Sequence, residues 1–391
     1  MRVVIDARLY GLKHAGIGRY VANLVREIKN LKFKIKNLEM ILLVRPENLK
    51  AMEDKIGDAF EIVPCDVPHY SFKEQLVLPY QLFRLKPDLV HFPHFNVPLF
   101  WWGKQVITIH DLIKHYSRGP KTTTRAPLFY WFKYLNYRFL VWLAVKRAVR
   151  IIVPSRWWKK ELVRRYQLPF KKVVVTYEGV ELSFKRQGLR NRRIKENLKL
   201  LKKYNLQKPY LLYVGSLYPH KNVGRLAKAI ACLNESNHLN KRWQLVIVCS
   251  RNVFWKRFKK QIQVIERGRW IRWMGFVPDK DLVVFYQEAE AFVFPSLLEG
   301  FGLPGLEALA CGCPVLASAI PVFKEIYGPA ALYFDPLSVR EIVEKIKRVT
   351  TKASVRKSLI RRGYQQVKKY SWRKMAQKTL TVYRSVLEEL A

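Results

Sequence analysis

Two carboxylates, Glu299 and Glu307, stand eight positions apart around a glycine-rich turn in PSLLEGFGLPGLEALACGCPVLAS, residues 295–318. Their surroundings are nearly all apolar, where a carboxylate without a partner is costly to bury. A carboxylate grips paired hydroxyls on a ring, so the two suit two sugars, a hexose at one and a ribose at the other. Gly300 and Gly302 free the backbone amides of a loop that begins a helix at about Leu303, and such amides hydrogen-bond sugars and phosphates. A nucleotide-sugar has both sugars, joined by a diphosphate. In YVGSLYPHKNVGRL, 213–226, a strand, a glycine turn and a helix start place Lys221 in the connecting loop. An ammonium there meets a diphosphate as a point charge. The competing account is one more surface lysine in a lysine-rich chain.

Two further constellations fall at strand ends. In HAGIGRY, 14–20, Gly16 and Gly18 either let the backbone approach a ligand or only make a tight turn. In TIHDL, 108–112, His110 and Asp111 end a strand. A histidine with a nearby acid orients a hydroxyl or donates a hydrogen bond; a core histidine held by its neighbour is the alternative. A metal site from His91, His94 and His110 is disfavoured, because nearby Cys or Asp ligands with suitable spacing are missing. The expectation is no metal.

These residues need elements to hold them. Apolar runs such as RVVIDA, MILLVR (40–45), DLVHF (88–92), QVITIHD (105–111) and RIIVPS (150–155) alternate with helix-like runs, the βαβ rhythm of a parallel sheet. The polar, basic stretch 183–207 interrupts it, with a helix over 192–204. The rhythm restarts with strands at 210–216, 244–250, 270–276, 291–296 and 314–318 and helices at 222–235, 279–289 and 303–312. Asp279 is expected as a helix N-cap after Pro278, and 339–350 and 353–390 read as helices. The chain divides into a first domain over 1–185, a basic linker region over 186–207, a second domain over 208–371 and a final helix over 372–391. Open α/β sheets bind ligands beyond the carboxyl ends of their strands, which places the ligand in a cleft between the two halves.

The 391 residues carry a net charge of +42. Residues 101–205 hold 26 Lys and Arg against 5 Asp and Glu, a net of +21, and this stretch is also aromatic. Three accounts compete: nucleic-acid phosphates, an anionic membrane surface with aromatics at the headgroups, and a generally lysine-rich proteome. The apolar run 139–145 is far short of the ~20 residues of a membrane span. No secretory leader is expected, because the first residues read as a buried strand. The five cysteines lack zinc spacing and read as reduced thiols of a cytosolic protein.

EGFGLPGLE, 299–307, resembles the E-x7-E motif of the retaining glycosyltransferases of family GT4, which have the GT-B fold. The likeness covers nearly the whole chain in order: GIGRY, TIHDL, IIVPSRWWKKEL, VTYEGV, YVGSLYPHKN, GFVPDKDL, the 295–318 run and AALYFDP. FKEQLVLPYQL and KPDLVHFPHFNVPL resemble the branch of mannosyltransferases. The resemblance implies an α/β protein of two Rossmann-like, doubly wound domains facing a central cleft, with the last helix crossing back to the first domain. It implies that Glu299 holds the donor hexose, helped by backbone around Phe301, Gly302 and Leu303. Glu307 would hold the ribose and Lys221 the diphosphate. Gly16 would let the N-terminal loop approach the phosphates and acceptor, Gly18 is counted with it among the donor-binding residues, and His110 would touch the hexose near the reacting carbon. The chain departs at Ser216, where many members carry Arg, and at Glu178-Gly179-Val180, where Asn-Gly-Val is usual.

The implied reaction is retaining, metal-independent transfer of a hexose to a glycan or lipid-linked saccharide, with no cofactor. GDP-mannose is the first-choice donor and a UDP-hexose the second. Asp279-Lys280-Asp281 resembles the Asp-x-Asp metal motif of the other glycosyltransferase fold but is read as a helix start. The expected location is cytoplasmic, peripheral on the inner face of the cytoplasmic membrane. The rivals are an epimerase or hydrolase of nucleotide-sugars on the same fold, and a basic nucleic-acid-binding protein. The last leaves the paired acids unexplained, since they would repel phosphates.

Overall fold

A computed structural model describes residues 1–11, 15–31, 38–119, 127–181, 184, 194–236, 242–251, 253–263 and 270–389. His14, the first eight residues of the expected linker region (186–193) and the last two residues lie outside the described residues. The chain divides into a first unit holding residues 1–115, 127–179 and 371–389 and a second holding 116–119 and 180–370.

The first unit runs β1 (Arg2–Asp6), α1 (Ala15–Leu31), β2 (Glu39–Val44), α2 (Leu49–Ile56), β3 (Glu61–Pro64), α3 (Phe72–Leu85), β4 (Leu89–Phe92), β5 (Gln105–Thr108), α4 (Ile113–Tyr116), α5 (Pro127–Arg147), β6 (Arg150–Val153), α6 (Arg156–Tyr166) and β7 (Val173–Val175). Its strands form one parallel sheet in the order β3-β2-β1-β4-β5-β6-β7. Val3 pairs with Met40 on one side and Leu89 on the other. Strands covered on both faces need continuous apolar runs, and Val3, Val4, Ile5, Val106, Ile107, Ile151 and Ile152 are fully buried.

The second unit runs α7 (Ile194–Lys203), β8 (Tyr210–Val214), α8 (Val223–Glu235), β9 (Gln244–Val248), α9 (Val253–Ile262), β10 (Ile271–Met274), α10 (Asp279–Glu288), β11 (Ala291–Phe294), α11 (Leu303–Ala310), β12 (Val315–Ser318), α12 (Pro321–Tyr327), β13 (Ala331–Phe334), α13 (Val339–Thr351) and α14 (Ala353–Val367). Its sheet, also parallel, has the order β10-β9-β8-β11-β12-β13. The last helix, α15 (Trp372–Glu388), belongs to the first unit and packs on α1 and β6. Both sheets reverse their winding once, between β1 and β4 and between β8 and β11. Those reversals are where open sheets part their loops to receive ligands.

Several expectations need correction. Pro278, not Asp279, takes the N-cap position of α10; Asp279 and Asp281 lie inside its first turn, where acids complement the helix dipole. The hydroxyl of Tyr204 donates to Asp281 at 2.6 Å, which gives this acid a structural partner. The strand before His110 ends at Thr108, and the helix expected to reach 312 ends at Ala310. Strands β3, β7 and β13 were not anticipated. They hold three or four residues each, lie at sheet edges and are only partly buried, so they are not bound to the continuous apolar run of the central strands.

Candidate functional site

The two units each carry one cluster of the sequence-selected residues. In the second unit the loops after β8 and β11 meet, because these strands are neighbours at the winding reversal. The loop after β8 turns at Gly215, and the carbonyl of Ser216 accepts from Tyr213 at 2.6 Å. Asn222 takes the left-handed conformation at the head of α8. Its amide donates to the carbonyls of Pro295 at 2.9 Å and Pro336 at 2.7 Å, which fastens the Lys221 loop to the 295–302 loop. Leu297 N donates to the His220 carbonyl at 2.8 Å. Arg225 donates to Asn222 at 2.7 Å and so supports this loop.

Lys221 Nζ lies 2.6 Å from Glu299 Oε1, and Ser296 Oγ donates to the same oxygen at 2.7 Å. The side chains are 15% and 8% exposed. Burial, with the cation of Lys221 beside it, pushes the His220 imidazole down to about 4, so it stays neutral near pH 7. Gly302 sits at φ +96° before Leu303, the first residue of α11, and its carbonyl accepts from Tyr327 at 2.6 Å. A Cβ at 302 would come 2.3 Å from the Tyr327 hydroxyl, so both backbone angle and space demand glycine. Phe301 is buried with its ring edge against Tyr370. Glu307, buried in α11, accepts from the Tyr286 hydroxyl at 3.1 Å.

The two acids are therefore met first by the protein itself, where the sequence left them waiting for a ligand. Lys221 and Glu299, assigned to different parts of a ligand, form a direct ion pair. Neither Tyr286 nor Ser296 was singled out. Ser296 sits three residues before Glu299 in the motif, and Tyr286 carried no signal at all.

The first unit groups residues around His110. Its Nδ1 lies 3.3 Å from Glu178 Oε1 and its Nε2 3.1 Å from the Pro93 carbonyl. The Tyr20 ring stands edge-on to it at 4.7 Å. The acid at His110 is thus Glu178, 68 residues away in sequence, and not the adjacent Asp111, which accepts from Ile113 N at 2.9 Å. The Glu178 departure from Asn-Gly-Val was the one available signal. His91 bridges Tyr383 on α15 (2.5 Å) and Thr108 (2.8 Å), and burial together with the charge of His110 lowers its pKa to about 3. It is a neutral structural link. Among the described residues no three His, Cys, Asp or Glu side chains gather as a metal cluster.

Gly16 and Gly18 both lie within α1. A Cβ on Gly18 would come 2.3 Å from the Gly11 carbonyl, whereas one on Gly16 meets nothing within 4 Å among the described residues. Gly18 therefore answers to its own chain, and Gly16 to none of the described residues. Beneath this end of the sheet lies a network that the sequence did not announce. Arg8, fully buried, binds Asp6 at 2.7 Å and Glu74 at 2.9 Å, and Asn96 donates to Glu74 at 2.6 Å. A buried cation is tolerated because every partner is supplied.

Comparison with known proteins decides the class. The profile described as Glycosyltransferase Family 4 matches residues 14–184, and that described as Glycosyl transferases group 1 matches residues 195–366. The chain belongs to the glycosyltransferases. The first match contains Gly16, Gly18, His110 and Glu178; the second contains Ser216, Lys221, Glu299 and Glu307. The glycosyltransferase is 29% identical to O-antigen chain mannosyltransferase B of Escherichia coli, over 98% of this chain and 100% of that protein. It is 28% identical to O-antigen chain mannosyltransferase RfbU of Salmonella typhimurium, over 67% of this chain and 64% of that one. A glycosyltransferase structure from Rickettsia africae superposes with a TM-score of 0.72 at 17% identity, over 99% of this chain and 98% of that chain. The two parallel sheets match the GT-B architecture.

Proposed function

We propose that this glycosyltransferase moves a hexose, mannose before others, from a nucleoside-diphosphate sugar to a glycan or lipid-linked saccharide of the cell envelope. The donor is GDP-mannose, with a UDP-hexose as second choice. Transfer retains the anomeric configuration, needs no metal, and takes place at the inner face of the cytoplasmic membrane. The mannosyl and polysaccharide assignments draw on the O-antigen relatives.

The observation that carries the reading is the Lys221–Glu299 pair at the winding reversal, beside the start of α11. A diphosphate presented to Lys221 and hexose hydroxyls presented to Glu299 replace one ion pair by two matched contacts. Backbone around Phe301, Gly302 and Leu303 adds amides at a helix start, which favours the anion. Glu307, steadied by Tyr286, takes the ribose hydroxyls. His110, oriented by Glu178, meets the hexose near its reacting carbon. The bond from the anomeric carbon to the leaving phosphate oxygen breaks. A bond to the acceptor oxygen forms on the same face, and the acceptor proton passes to the leaving diphosphate. Lys221 and the helix start offset the charge that develops there.

The test is calorimetric titration with GDP-, UDP-, ADP- and dTDP-sugars, with and without EDTA, on wild type, Glu307→Ala and Glu307→Gln. Product configuration is read by NMR. Tight binding of GDP-mannose, indifferent to EDTA and weakened in both variants, supports the reading. Flat titrations across the panel, or an inverted product, overturn it.

A further inference from the structure

The helix α5 is apolar on two opposite sides. Its inner side buries Tyr134, Val141, Ala144 and Val145. Its outer side exposes Phe132, Leu135, Phe139 and Trp142, at 65%, 65%, 52% and 46%. The steps of three, four and three residues keep these four on one stripe, and the rings of Phe139 and Trp142 stack at 6.1 Å. The helix α3 repeats the arrangement, with Leu78 and Leu82 inside and Phe72, Leu76, Tyr80 and Phe83 outside. The outer side of a surface helix is ordinarily polar. A helix apolar on both sides has something further to be buried against.

The two stripes share one face of the first sheet. The β3→β4 and β5→β6 connections cross the sheet in the same direction, and right-handed crossovers then place α3 and α5 on the same side. The loop 99–102 ties their ends together. The Trp101 ring lies 5.1 Å from that of Phe83, the Arg147 guanidinium lies 3.8 Å over Trp102, and Arg147 donates to the Leu99 carbonyl. Trp102 itself is 72% exposed.

The charges on this face have one sign. Between Pro127 and Arg147 there is no Asp or Glu, and the exposed charges are Lys133, Arg138 and Lys146. The helix α3 exposes Lys73 and Arg84, while its single acid, Glu74, is buried against Arg8. A second copy of this chain would bring +42 against +42. Among the described residues no helix is long and apolar enough to cross a membrane. Aromatic rings between Lys and Arg suit the headgroup region, where the ring is half wet and the cation meets phosphate.

We propose that the outer sides of α3 and α5, with Trp102 between them, dock flat on an anionic lipid bilayer. The stripes enter the headgroup boundary and Lys73, Arg84, Lys133, Arg138 and Lys146 face the lipid phosphates. The proposal rests on the reading above only for its purpose, to bring the donor site to a lipid-linked acceptor; the docking itself is independent of the donor.

The test is flotation with vesicles of phosphatidylcholine alone and of phosphatidylcholine with about one-third phosphatidylglycerol, at rising salt. Wild type is expected to float with the anionic vesicles, to release as salt rises, and to stay down with phosphatidylcholine. Phe139→Ser combined with Trp142→Ser leaves the charge unchanged and abolishes flotation. Lys133→Gln and Arg138→Gln each weaken it about fivefold. Both stripe positions are exposed, so an unchanged melting temperature certifies the fold. Three results would overturn the proposal. One is equal flotation with both vesicles or none with either, and another is a stripe variant that floats like wild type. The third is a concentration-dependent dimer in light scattering that the stripe variant dissolves, which would make the face an interface between copies. Donor calorimetry without vesicles separates the two readings. Intact flotation with flat donor titrations removes the donor reading alone, and the reverse removes the docking alone.

Discussion

The ammonium of Lys221 rests 2.6 Å from a carboxylate oxygen of Glu299, although the two come from loops 78 residues apart. Both side chains are largely buried. Removing one partner strands the other charge, at a cost of about 3–5 kcal/mol. Lys221→Ala is therefore expected to lower the melting temperature and to abolish donor binding. Lys221→Met combined with Glu299→Met restores most of the stability, because two apolar groups replace a satisfied pair, but leaves binding absent. Thermal unfolding beside donor calorimetry checks this; a double variant that still binds the donor contradicts it.

Glu307 accepts from the hydroxyl of Tyr286. Glu307→Gln removes a charged acceptor and is expected to weaken donor binding about tenfold to a hundredfold. Tyr286→Phe keeps the ring and loses the orienting bond, so its effect is smaller. A donor lacking both ribose hydroxyls would bind wild type and Glu307→Gln alike. Competition titration with that analogue reads the difference.

His110 and Glu178 make a separable pair. If Glu178 only orients the imidazole, Glu178→Gln keeps a hydrogen-bond acceptor and loses less kcat than Glu178→Ala. Donor affinity stays unchanged in both. A parallel rise in the donor Kd would show that Glu178 contacts the donor directly.

The two glycines of α1 are expected to behave oppositely. Gly16→Ala has room among the described residues and exchanges a flexible helical residue for a good helix former, so stability holds or rises by about 0.5–1 kcal/mol. Gly18→Ala drives a methyl into the Gly11 carbonyl and destabilises by about 1–3 kcal/mol. Chemical denaturation measures both. A raised KM in the stable Gly16→Ala protein would mark a backbone approach to substrate.

The pH dependence follows from buried neutral histidines. His91 is lowered to about 3 and His220 to about 4, from 6.5. Below 6.5 the unfolded chain takes up protons that the folded chain refuses. Stability is thus full above about pH 6.5 and falls as the pH drops toward the folded values. Between about pH 6.5 and 4.5, before most carboxylates titrate, the melting temperature should fall. His91→Gln flattens that slope; an unchanged slope would show that His91 is accessible to protons in the fold.

The sequence by itself determined the two doubly wound halves, because strands buried on both faces must be written as continuous apolar runs. It also marked the candidate donor motif, because Glu299, Gly302 and Glu307 lie within nine consecutive residues. Only the tertiary structure decided who meets whom. Lys221 reaches Glu299 because β8 and β11 are neighbours, and Glu178 reaches His110 because the chain after β7 returns to the end of β5. Strand order creates such pairs, and a local period does not encode strand order. The edge strands β3, β7 and β13 stayed hidden because they are only partly buried and are not bound to the continuous apolar run that marks the central strands. The sequence also left the outward side of α5 undecided, since a helix apolar on two sides shows no preferred face until the sheet covers one of them.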